Sequence, residues 1–200
     1  MKNKFKLTLT ILNTETGKTD EIFFPLCTPE RRRRFDALKI RDGNYLILKS
    51  DFPISKAACT MIALDASLND INYFCNLWRF ELDNSAKELF EILAECDKIN
   101  LESTRDLLTG LFALNDYYSI ANASTAEQVG RFYCLLAKSV GAELGNYKAT
   151  AENCAKIGKF IMSLDDGWFF EGNYYGKSKT FRSELAKKRE IEIPKGFIVV

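Results

Sequence analysis

The chain contains no histidine. That removes the commonest general base and proton shuttle, and it rules out a Cys–His or Ser–His nucleophile. The six cysteines, Cys27, Cys59, Cys75, Cys96, Cys134 and Cys154, are scattered, and no two form a C-x-x-C pair. A protein metal site of the zinc type needs clustered Cys and His, so no metal is expected. Neither a G-x-x-x-x-G-K-[ST] loop nor a G-x-G-x-x-G turn occurs, which leaves no phosphate-cradling motif of those kinds. No apolar run approaches the roughly 18 residues that would span a bilayer. The start, Met1 to Lys6, is basic, but threonines interrupt the apolar residues after it and no apolar h-region develops. No signal peptide is read there, and a cytoplasmic location is expected. In a reducing cytosol the cysteines are expected to be buried thiols acting as small hydrophobes. No cofactor and no catalytic residue is expected, and the sequence argues against an enzyme.

What the chain does have is charge segregation. Its 200 residues carry a formal net charge of +1. Between Thr60 and Glu127, however, 12 acids face 4 bases, a charge of −8, while residues 1–59 carry +5 and residues 128–200 carry +4. A fixed array of carboxylates is a long-range electrostatic feature that speaks to partners rather than to fold. The plainer alternative is a solvated helical face.

Residues 1–60 read as a small β-rich unit. Phe5 to Ile11 alternates apolar and polar residues, the mark of a half-buried strand. Asn13 to Lys18 turns the chain, and Glu21-Ile22-Phe23-Phe24 is a second strand ended by Pro25. Thr28-Pro29-Glu30 starts a short helix with a hydroxyl cap and a proline in its first turn. That helix carries Arg31-Arg32-Arg33-Arg34 and ends near Leu38. Asp42-Gly43-Asn44 turns into a third strand, Tyr45 to Leu48. Four consecutive helical arginines point in four directions, so a solvated helix with one or two ion pairs is expected there.

Residues 61–112 read as an acidic helical domain. Ser67 caps with Asp70 three residues on, and Leu68, Ile71, Phe74, Cys75 and Trp78 share one face. Ser85 with Glu88 repeats the capping box. Leu89, Ile92, Leu93 and Cys96 form the buried stripe of that second helix, and Glu88, Glu91 and Glu95 lie together on the face toward water. Asn100 caps a third helix holding Leu107, Leu108, Leu111 and Phe112.

Residues 113–200 read as a C-terminal α/β domain with a basic insertion at 177–190. Asp116 to Ile120 is a candidate strand. Ser124 to Glu127 is a capping box opening a helix with Val129, Phe132, Tyr133, Leu136 and Val140 that stops at Gly141. Thr150 caps a helix to about Ile161, and Asp165-Asp166-Gly167 is a turn before a Trp168-Phe169-Phe170 strand. Gly172 and Asn173 turn again, and Phe197 to Val200 closes the chain as a strand. The fold class expected is α+β.

Several strings resemble the ArdA-type antirestriction family. Leu68-Asn69-Asp70-Ile71-Asn72-Tyr73 is similar to the family's "L-x-E-L-N-x-L" helix start. Phe24-Pro25, Asp42-Gly43-Asn44-Tyr45 and Asp51-Phe52-Pro53 are similar to its first unit. Glu127-Gln128-Val129-Gly130-Arg131-Phe132-Tyr133 resembles its "E-x-L-G-R-Y-Y" helix, and Ile157-Gly158-Lys159 before the aromatic Trp168 to Tyr175 stretch sits where members have "Y-G-R-D". The motifs run colinearly across nearly the whole chain. The family is acidic throughout, whereas this chain is +1, and Ile157 and Lys159 stand where the family has Tyr and Arg.

The resemblance implies three small domains in an elongated protomer, with a homodimer formed through the C-terminal part. It implies a protein of conjugative elements and phages, acting in the cytoplasm of a bacterial host. Its partner would be a type I restriction–modification enzyme or another DNA-binding defence complex, whose groove it fills as a mimic of bent duplex DNA. The carboxylates that would stand in for phosphates are Asp65, Asp70, Glu81, Asp83, Glu88, Glu91, Glu95, Asp97, Glu102 and Asp106. No membrane is involved.

Two other readings stay open. The same fold could bind a different protein, or nucleic acid through its basic ends, with Arg31, Arg32, Arg33, Arg34, Lys187, Lys188 and Arg189 as the contacts. An enzyme would have to work with Asp/Glu, Lys, Tyr or Cys alone. Its one adjacent carboxylate pair near aromatics is Asp165-Asp166, which before a glycine reads as a turn.

Overall fold

The computed structural model describes residues 5–41, 43–139 and 150–177. These form an α+β protein, with seven α-helices and two three-stranded antiparallel sheets among the described residues. The chain divides into two compact units, Met1–Leu114 and Asn115–Val200.

In the first unit, β1 (Leu7–Asn13) lies between β2 (Thr19–Phe24) and β3 (Tyr45–Ser50), antiparallel to both. The alternation of the sequence is realised directly: Leu7, Leu9 and Ile11 are buried and Thr8 and Thr10 half-buried. β2 begins two residues before Glu21, directly after the turn, which Asn13 holds. Its side-chain oxygen accepts the N–H groups of Glu15 and Thr16, both at 2.9 Å. Its amide donates to the Leu38 and Lys39 carbonyls at 2.9 and 3.1 Å, which fastens the end of α1 (Thr28–Leu38) to the hairpin. A buried asparagine can serve both sides in this way because it carries a donor and an acceptor.

Cys27, not Thr28, occupies the N-cap of α1, and no side chain caps that end; Pro29 in the first turn fixes the helical φ instead. Four helices follow: α2 (Ser55–Met61), α3 (Leu68–Phe80), α4 (Asn84–Glu95) and α5 (Thr104–Ala113). Residue 60, where the composition shifts, lies inside α2. The expected stripe of α3, Leu68, Ile71, Phe74, Cys75 and Trp78, is buried throughout. Of the residues placed on α5, Leu107 and Leu111 are buried and Phe112 is 58% exposed. At this helix the buried turn is built from Thr104, Leu107, Gly110 and Leu111.

Asn72 ties α3 to the chain leaving β2. Its Oδ1 accepts the Leu26 N–H at 2.7 Å and its Nδ2 donates to the Leu26 carbonyl at 3.2 Å. Both residues are buried. Asn72→Leu strands two buried backbone groups, each worth about 1–3 kcal/mol when left unpaired. A stability loss of about 2–4 kcal/mol in urea titration is expected, and a loss below about 1 kcal/mol would show that this clasp is dispensable.

In the second unit, β4 (Tyr117–Ile120), β5 (Trp168–Phe170) and β6 (Asn173–Lys177) form a sheet in the order β4-β6-β5. Phe170 pairs with Asn173, so the β5–β6 turn is Glu171-Gly172, both at positive φ, and Asn173 already belongs to β6. That is the geometry of a type I′ hairpin. α6 (Ala126–Ser139) and α7 (Ala151–Leu164) are paired antiparallel helices. Their approach is set by two glycines. A Cβ on Gly130 of α6 would overlap the Cys154 carbonyl, and one on Gly158 of α7 would overlap the Ala126 carbonyl. The core joins Ile120, Ala123, Val129, Ile161 and Tyr174.

At the start of α6, Thr125 rather than Ser124 makes the reciprocal cap, and its partner is Gln128. The Gln128 N–H donates to Thr125 Oγ1 at 3.3 Å, and Gln128 Oε1 accepts the Thr125 N–H at 3.1 Å. Glu127 instead pairs with Arg131 one turn on. Of the cysteines, Cys75, Cys134 and Cys154 are buried as expected and Cys96 is half-buried; Cys27 and Cys59 are exposed. The expected features at Val140, Gly141, Lys179 to Glu190 and Phe197 to Val200 lie outside the described residues.

Candidate functional site

All ten assigned carboxylates lie in the first unit, on α3, α4, α5 and the turns around them. α4 presents the most regular group. Its N-cap is Asp83 rather than Ser85. Asp83 Oδ1 accepts the Ala86 N–H and the Ser85 hydroxyl, each at 2.8 Å. An ionised side chain is the better acceptor at the positive end of a helix. The Ala86 N–H first, then the Ser85 hydroxyl, hold the Asp83 carboxyl below the usual carboxylate range, so it stays charged.

From that cap, α4 turns Phe90, Ile92, Leu93 and Ala94 inward. Glu88, Glu91 and Glu95 are left on the exposed side. The spacing i, i+3, i+7 stacks them along one face, about 4.5 and then about 6 Å apart along the axis. That is sparser than the phosphates of one DNA strand, which come about every 3.4 Å.

The other assigned acids are less uniform. Asp65, Glu81 and Glu102 are exposed, whereas Asp70 and Asp106 are half-buried in the first turns of α3 and α5. Asp106 completes a capping box with Ser103, accepting its N–H and hydroxyl at 2.9 Å each. Asn100 is thus not the cap of α5; its Nδ2 reaches the Glu102 and Asp106 carboxylates, each at 3.4 Å. At α3 the box is only half formed as expected. Ser67 Oγ accepts the Asp70 N–H at 3.2 Å, but the Ser67 N–H goes to Thr104 Oγ1 at 3.1 Å. Asp97 is drawn off by Lys56, whose Nζ sits 2.5 Å from Oδ1. Among the described residues it is the one member of the ten in an ion pair; the others are Arg34–Asp20, Arg131–Glu127 and Lys156–Glu152.

The arginine run diverges as its helical spacing requires. Arg34 pairs with Asp20 at 3.5 Å, and Arg31 Nη1 donates to Asn69 Oδ1 on α3 at 3.0 Å. Arg32 and Arg33 are exposed. Lys187, Lys188 and Arg189 lie outside the described residues.

A second polar cluster was not legible in the sequence. Asp165, 1% exposed, accepts the Tyr118 hydroxyl at 2.6 Å, and Tyr118 and Tyr133 share a hydrogen bond of 2.6 Å. The Asp165 read as a turn residue is therefore also a buried acceptor at the end of α7. Burial, then the hydrogen bond to Asp165, pushes the Tyr118 hydroxyl far above the ordinary phenol range, and burial does the same for Tyr133. Both remain neutral donors rather than bases.

No protein-family model matches the chain, and no curated protein matches it. Among the described residues no helix is long and apolar enough to cross a membrane.

Proposed function

We propose that the protein is a non-catalytic binding module whose acidic helical surface occupies the cationic DNA groove of a defence enzyme. On this reading it is an antirestriction protein of the ArdA type, acting on a type I restriction–modification enzyme in the bacterial cytoplasm, with a dimer formed through its C-terminal part. One observation carries the proposal: Glu88, Glu91 and Glu95 stand exposed on one face of α4 without ion pairs among the described residues. Carboxylates left unneutralised by the fold are available to complement a groove lined with Lys and Arg. The same fold holds Asp83 ionised beside them.

Efficiency of plating of unmodified phage on a host with a type I system tests this. Expression is expected to relieve restriction by orders of magnitude, and Glu88→Lys/Glu91→Lys/Glu95→Lys to abolish the relief while leaving the melting temperature within a few degrees. Complex formation in vitro should weaken steeply with salt, because exposed pairs are screened over about 8–10 Å. Unchanged restriction with the wild-type protein sinks the proposal.

A further inference from the structure

A cleft of about 290 Å³ opens between α1 and the N-terminal end of α3. Arg31 and Arg32 reach it from α1 and Arg41 from the segment after α1, with Asp36 as the acid on its wall. Three guanidiniums against one carboxylate leave a formal lining charge of +2. None of the three is in an ion pair among the described residues, whereas Arg34, outside the cleft, is paired with Asp20. Like charges held together at a concavity repel one another unless an anion joins them. Arg31 is positioned rather than free, since Asn69 Oδ1 accepts from its Nη1 at 3.0 Å. The rest of the wall is mixed: Phe35 and Ile40, both half-buried, supply an apolar part with Leu68, and Tyr45, Ser67 and Asn69 a polar one. The first turn of α3 adds its partial positive charge to the same side.

We propose that this cleft binds a small phosphate ester, its phosphate on Arg31, Arg32 and Arg41 and its organic part on Phe35 and Ile40. Guanidinium groups suit phosphate because their planar forks donate in pairs. The volume lies at the lower end of small-molecule sites, which are about 300–1,000 Å³, so the ligand is of mononucleotide size or less. A polymer would need a groove continuing past the cleft, and the divergence of Arg33 and Arg34 does not supply one. The proposal is independent of the acidic surface of α4.

Isothermal titration of the full chain tests it, with AMP as the probe and inorganic phosphate and a single-stranded oligonucleotide as separate arms. Saturable AMP binding, weakened at least about tenfold by Arg41→Ala and by Arg32→Ala but not by Arg33→Ala, supports the site. Arg32 and Arg41 are exposed, so these variants should fold, which circular dichroism verifies. Absence of saturable AMP binding overturns the proposal. Binding that ignores Arg41→Ala and Arg32→Ala does so as well. So does uptake of inorganic phosphate with AMP excluded. Oligonucleotide binding that falls equally with Arg33→Ala would assign the arginines to general nucleic-acid attraction and overturn it too.

Discussion

Gly158→Ala is expected to destabilise the C-terminal unit by about 3 kcal/mol or more, against the usual sign for such a change. In an unobstructed helix interior, alanine is better than glycine by about 0.8–1.0 kcal/mol. Here the added methyl would fall on the Ala126 carbonyl of the facing helix. Backbone cannot rotate aside as a side chain can, so α6 and α7 must separate along their contact. Gly130→Ala meets the Cys154 carbonyl in the mirror arrangement and should behave alike. Gly110→Ala is the control. Its Cβ would lie 3.1 Å from both Ile99 Cδ1 and Phe90 Cε2, which are side-chain atoms able to shift. It should fall within about 1 kcal/mol of wild type. For a chain of this size each kcal/mol is worth about 2–4 °C in Tm. Thermal melts that place Gly158→Ala at or above the wild type would refute the close-contact account.

How far the sequence could be read depended on the range of the interactions involved. The β1 alternation and the α3 stripe were visible because a period of two or 3.6 residues is written locally, and every residue of the α3 stripe is buried. Caps were less legible. Ser85 and Asn100 stand near helix starts, but Asp83 and Ser103 do the capping, since several polar residues crowd each turn and only the chain direction decides among them. The glycines Gly130 and Gly158 could be quoted as parts of two motifs. Their physical role needed the facing carbonyls of Cys154 and Ala126, which are distant in the chain but adjacent in space. The same holds for the arginine cleft. Arg31 and Arg32 were conspicuous as a run, while Arg41 and Asn69 join them only in the folded chain, where they line the same cleft and Asn69 accepts from Arg31. Of the acidic set, exposure of Glu88, Glu91 and Glu95 followed from helical spacing; neutralisation of Asp97 by Lys56 did not, because the pair spans 41 residues.

Phe74→Ala is expected to cost the first unit about 3–5 kcal/mol, a large share of the roughly 5–15 kcal/mol that holds a typical domain folded. Phe74 is fully buried at the centre of an aromatic cluster. Its ring stands 5.4 Å from Phe52, 5.6 Å from Trp78 and 5.8 Å from Phe90, centroid to centroid. Truncation removes all three contacts at once and leaves a void that the neighbouring rings, each packed against others, can fill only in part. Phe112→Ala, at an exposed position, should change stability by no more than about 0.5 kcal/mol. The consequence reaches the surface through α4. Phe90 is one of the inward residues of the helix that carries Glu88, Glu91 and Glu95 outward, so loosening the cluster loosens the scaffold on which those carboxylates are spaced. Relief of restriction by Phe74→Ala should therefore fall as growth temperature rises, while Phe74→Leu, which keeps most of the volume, should retain it. Urea titrations that give Phe74→Ala a loss under about 1 kcal/mol would mean that this cluster does not hold α4 in place.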